Sequence, residues 1–71
     1  EIKARLAVAL AKLRSRQQLT QVEVARKLGS SQSRLAKMES ADKTVSLDLL
    51  VRSLLTLGAT CKEVAAAIAG K

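Results

Sequence analysis

Apolar residues recur along the chain at helical spacing, and nowhere do they show the alternation of a half-buried strand. Ile2, Leu6, Leu10 and Leu13 fall within an arc of about 80° at 100° per residue, predicting one amphipathic helix from about Ile2 to Arg16. A second helix starts where Thr20 and Glu23 form a capping box and stops at Gly29 after only about eight residues, with Val24, Ala25 and Leu28 inward. A third begins at once, with Ser31 as cap and Gln32 in the first helical position, and runs to about Glu39. After the polar loop Ser40-Ala41-Asp42-Lys43-Thr44, Ser46 caps a fourth helix, with Asp48 at the positive end of its dipole and Gly58 at its end. A second capping box, Thr60 and Glu63, opens a fifth helix that stops at Gly70.

The fourth segment is apolar over too wide an arc. Leu47, Leu50, Leu54 and Leu57 span about 80°, Val51 and Leu55 widen this to about 160°, and Leu49 lies outside it, whereas about 100° is enough to face one core. The surplus, Leu49 and Leu55 above all, is expected to meet a second copy in a homodimer.

Composition narrows what such a fold can do. Seventy-one residues make one small, marginally stable domain, and the chain has no proline, no aromatic residue, no histidine and a single cysteine, Cys61. A disulfide within the chain, the usual zinc sites and His-based nucleophilic pairs are thereby excluded. So are the aromatic platforms on which single-stranded nucleic acid stacks. No catalytic group, metal or cofactor is expected, because the six carboxylates are dispersed, and Cys61 reads as a small buried residue at a helix start. Charge adds a partner. The chain carries +7, and nine of thirteen Lys/Arg but only three of six acids precede residue 40, so that residues 1–39 hold +6. Such an asymmetry favours a polyanion over a small neutral substrate.

No secretory leader is visible and no apolar run approaches the ~20 residues of a membrane span, so the cytoplasm is the expected location. The segment from Lys3 to Arg16, taken alone, could lie on a membrane surface, but it has no Trp or Phe anchor. The first residue is Glu1 rather than Met, so further residues are expected upstream.

Two short helices joined through a glycine turn, the second polar on its outer side, form the layout of a helix-turn-helix, here at residues 20–39 of a single 1–71 domain. Ala25 permits a close helix crossing, and Gly29 accepts the positive φ of the turn. On the third helix Leu35 and Met38 point inward. The opposite face carries Ser33, Ala36 and Lys37, flanked by Gln32 and Arg34, without an acid. Gln pairs in bidentate fashion with adenine N6/N7, Lys donates to guanine O6/N7, and Ser suits several bases, making Gln32, Ser33 and Lys37 the candidate base readers. Small Ser33 and Ala36 let the helix sit deep in a major groove.

The stretch from Leu13 to Glu39, with its pattern L-T-Q-x-E-V-A-x-K-L-G-x-S-Q, resembles the phage-repressor helix-turn-helix (XRE) family, that of the lambda and 434 repressors and Cro. The likeness continues through Val45–Gly58, the family's fourth helix. It implies an all-α, five-helix repressor-type domain and roles for particular residues. Gln21 matches a position that hydrogen-bonds a phosphate and buttresses the recognition helix; Gln32, Ser33 and Lys37 match base-reading positions; Arg34 and Lys43 match places close to the sugar-phosphate backbone. Arg16 joins these as a backbone contact, within a diffuse positive field shared with Arg14, Arg26 and Lys27. The loop after Glu39 departs from the family, which often has a glycine-containing turn there.

The implied function is a double-stranded DNA-binding transcriptional regulator, a repressor that occupies an operator overlapping a promoter, and not an enzyme. The alternative is an antitoxin: the stretch from Val45 to Ile68 is similar to HigA-like antitoxins, which bind an RNase toxin and repress their own operon. A basic RNA-binding helical protein ranks third, because the chain lacks aromatic residues for single strands.

Overall fold

In the computed structural model, which describes residues 1–70, the chain forms five helices and, among those residues, no strand. They are α1 (Ile2–Arg16), α2 (Gln21–Lys27), α3 (Gln32–Glu39), α4 (Leu47–Thr56) and α5 (Cys61–Ala69). Helix α1 is the spine: it packs against α3, α4 and α5, while α2 packs mainly against α3. Among the described residues no helix is long and apolar enough to cross a membrane.

Each helix starts on a side chain that accepts an amide at its open end. Thr20 accepts from the Glu23 amide, Ser31 from Arg34, Ser46 from Leu49 and Thr60 from Glu63, and both capping boxes are complete. Residues just before these caps are pulled inward as well. Leu19 and Val45 join the same apolar cluster as Val24 and Leu50, which lie five residues further on, so the entry angles of α2 and α4 are stapled.

The helix ends follow one design. After α1, α2, α3 and α4 the chain turns left-handed for one residue, and the next amide bonds back to a carbonyl five residues earlier. Gly29 and Gly58 hold the turns after α2 and α4, as the sequence predicts. Gln18 and Ala41 hold those after α1 and α3, at φ +57° and +55°, where no glycine marks them. Ala41 thus occupies the turn for which the resemblance implies a glycine.

Leu6, Leu10, Val24, Leu35, Met38 and Leu50 are fully buried at the centre. One polar side chain joins them: the Ser53 hydroxyl donates to the Met38 sulfur at 3.5 Å. The periodicity misplaces a few edges. Ile2 and Leu47, assigned to core stripes, are 43% and 46% exposed, because each sits at the open end of its helix. Leu49, outside the α4 stripe, is half-buried against the core, and Leu55 is 40% exposed. Cys61 is exposed, not buried, at the first position of α5.

Candidate nucleic-acid interface

Helix α3 presents one face to the core through Leu35 and Met38 and leaves Gln32, Ser33, Arg34, Ala36 and Lys37 exposed. The 3.6-residue repeat dictates this division, since positions 35 and 38 share a stripe that the other five avoid. No carboxylate interrupts the outward face, because Glu39 turns inward.

Glu39 is the centre of what holds α3 in place. Arg14 of α1 donates to its carboxylate from Nε (2.6 Å) and Nη2 (3.2 Å), in the two-pronged geometry that suits guanidinium and carboxylate. The third arm, Nη1, donates to the Leu19 carbonyl at 3.3 Å. Gln21, at the start of α2, donates from Nε2 to the same Glu39 carboxylate at 2.9 Å. Its Oε1 accepts from Gln32 Nε2 at 3.5 Å. A polar chain Arg14–Glu39–Gln21–Gln32 therefore runs from α1 beneath α3 and reaches both ends of that helix. The Arg14 and Glu39 side chains are only 24% and 10% exposed, so the pair is screened far less than one in open solvent.

The structure thus brings Gln21 and Gln32 together and sets Ser33, Arg34 and Lys37 beside them on the same helix. Lys43 is exposed in the loop that follows. That loop is fixed by Asp42, whose carboxylate accepts from the Thr44 amide (2.9 Å) and hydroxyl (2.7 Å). The Thr44 amide above all, then its hydroxyl and the Lys37 and Lys3 cations, hold the Asp42 carboxyl below its usual value. Arg16 stands apart. Its guanidinium lies 3.5 Å from Glu63 of α5, on the other side of α1. Arg14, grouped in the sequence with the diffuse field, is instead a structural residue. Only its position one step past Leu13 and the place of Glu39 one step past Met38 hinted at this, and the two lie 25 positions apart.

Among the described residues no group of three or more His, Cys, Asp or Glu could hold a metal ion. An eight-residue helix with a flat, acid-free polar face, clamped at both ends, is suited to entering a groove lined by hydrogen-bonding edges.

Comparison with known proteins agrees with this geometry. No curated protein and no solved structure gives a significant match. The profile of the helix-turn-helix domain matches residues 5–67, nearly the whole chain and all of α2 and α3. The chain therefore belongs to the helix-turn-helix domain family, which is related to XRE-type DNA-binding domains.

Proposed function

We propose that the chain is a sequence-specific double-stranded DNA-binding regulator, acting as a repressor by occupying its operator. The carrying observation is the exposed, acid-free face of α3 held by the Arg14–Glu39–Gln21–Gln32 chain. Eight residues of helix span about 12 Å, comparable to the width of a B-form major groove. In this reading Gln32, Ser33 and Lys37 read base edges. Gln21, Arg34 and Lys43 meet the sugar-phosphate backbone, and Arg16 contributes positive potential from further away.

A homodimer belongs to the same proposal. Leu55 stays in the expected interface, but Leu49 packs half-buried against the core, and its place is taken by Leu47 and Val51. These form one row with Leu55 at four-residue spacing on α4, the two leucines of the row being exposed. Two copies joined there would read an approximate palindrome with half-sites about 10 base pairs apart.

Selection from random duplex DNA, followed by binding titrations, tests the proposal. Gln32→Ala and Lys37→Ala should each lose about 1–3 kcal/mol on the selected site and relax one base preference. Lys43→Ala should weaken all duplexes alike. Affinity should fall with salt, each neutralised phosphate contributing about 0.9 to the slope. A flat salt response or no enriched sequence overturns the reading, and sedimentation showing one copy per site overturns the dimer.

A further inference from the structure

On the side of α1 turned away from α3, a groove of about 650 Å³ runs between α1 and α5. Its floor is shallow and apolar, with Ala9, Leu13, Ala66 and Ala67 along it, and Val8 stands 51% exposed on its wall. Arg5, Lys12 and Arg16 line the same groove from α1. We infer that this groove docks an acidic amphipathic helix of another polypeptide, its apolar stripe on the alanine floor and its carboxylates on the α1 cations.

Three observations lead there. The alanines that α1 and α5 contribute to the floor let a third helix approach closely, as small side chains do at helix contacts. The cations are spread along the groove: positions 5, 12 and 16 lie on one face of α1 and span about 16 Å of its axis. A single carboxylate or phosphate headgroup meets one of them, whereas acids repeated along a helix meet Arg5 and Lys12 together and compete with Glu63 for Arg16. The local acids offset part of this potential, and three cations against two carboxylates leave the lining net positive. Glu1 accepts from the Lys3 amide and Glu63 from the Thr60 amide, both at helix starts. Only Arg16 has a carboxylate partner there, Glu63 at 3.5 Å; Arg5 donates to the Ile68 carbonyl, and Lys12 makes no ion pair among the described residues.

A second copy of this chain does not fit the requirement. None of its five helices carries a net negative charge: α1 is +5, α2 and α3 are each +1, and α4 and α5 are neutral. A duplex backbone does not fit either, since Val8 projects between Arg5 and Lys12 where phosphates would lose their water.

The test is fluorescence anisotropy with a labelled 18-residue peptide that carries Leu at i, i+3, i+4 and i+7 and Glu on both flanks. Saturable one-to-one binding is expected, weakened about tenfold by Val8→Glu or Lys12→Glu and about tenfold in a scrambled peptide of the same composition. Lys12→Gln, a milder change, should weaken it in the same direction, and circular dichroism should show all three variants helical. Equal binding of the scrambled peptide would reduce the effect to bare charge and overturn the inference. Dodecanoate binding without peptide binding would assign the groove to a small amphiphile, and self-association abolished by Val8→Glu would assign it to a second copy; either result overturns it too. None of these readouts depends on whether duplex DNA is recognised.

Discussion

The turns on either side of α3 share their hydrogen bonding and differ in the residue that makes it. Before α3, Ser30 donates to the Ala25 carbonyl at 2.8 Å with Gly29 left-handed at φ +66°; after it, Asp42 donates to the Lys37 carbonyl at 3.0 Å with Ala41 left-handed at φ +55°. Glycine adopts that conformation freely, whereas an L-residue is disfavoured by roughly 1–2 kcal/mol. The entry turn is therefore relaxed and the exit turn is strained. What holds the exit turn lies beside it: Glu39 pinned by Arg14 and Gln21, and the Asp42 carboxylate tied to Thr44. A left-handed alanine persists because its neighbours over-determine the chain path.

The largest expected effect comes from removing the pin. Glu39→Ala leaves the Arg14 guanidinium and the Gln21 amide without their acceptor in a mostly buried place, and urea denaturation should show a loss of about 1–3 kcal/mol. An unchanged denaturation midpoint would mean that the clamp is not holding α3.

The turns themselves should respond with opposite signs. Gly29→Ala meets no atom within 4 Å of the added Cβ, so its cost is conformational alone, about 1 kcal/mol. Ala41→Gly relieves the strain at the cost of a more flexible unfolded chain, and a gain of about 0.5–1 kcal/mol is expected. Thermal denaturation of the two variants checks both, and a loss at Ala41→Gly would show that the exit turn is unstrained.

Acid has the smallest effect. Asp42, Glu23 and Glu63 all have carboxyl pKa values lowered in the fold, chiefly by the Thr44, Thr20 and Thr60 amides. A lowered folded pKa gives stability that is present above the ordinary value and lost as pH falls through the folded one. The loss therefore begins below about pH 4.5 for the two glutamates and 3.8 for Asp42. Asp42→Asn removes the exit turn from that titration. Its melting temperature should fall less between pH 6 and pH 3 than the parent's; an equal fall would mean that Asp42 does not tie the loop.

The parts of the fold legible in the sequence are those written within a few residues. Thr20 with Glu23, Ser31 before Gln32, Ser46 and Thr60 with Glu63 mark the starts of α2, α3, α4 and α5, because a cap is satisfied by an amide at most three positions away. The polar face of α3 was legible for the same reason, since Leu35 and Met38 fix its opposite. The Arg14–Glu39 pair was not, because its members lie 25 positions apart and a charged pair has no period. Nor were the turns at Gln18 and Ala41, where the surroundings impose a conformation that the residue disfavours. Leu47 and Leu49 show the limit of a helical wheel: a wide apolar arc tells how much of α4 is apolar, not which edge meets the core.

The Arg14–Glu39–Gln21–Gln32 chain meets the outward face of α3 at a single residue, Gln32. Positions 33, 34, 36 and 37 share no side-chain hydrogen bond with it. On the proposed base-reading role, scaffold and lettering are therefore separable: those four positions are free to be rewritten, by selection in nature or in a library, with little consequence for folding, while a change at 32 alters the proposed reader and its support together. A lineage built on this domain would be expected to diverge first at the four and last at Gln32.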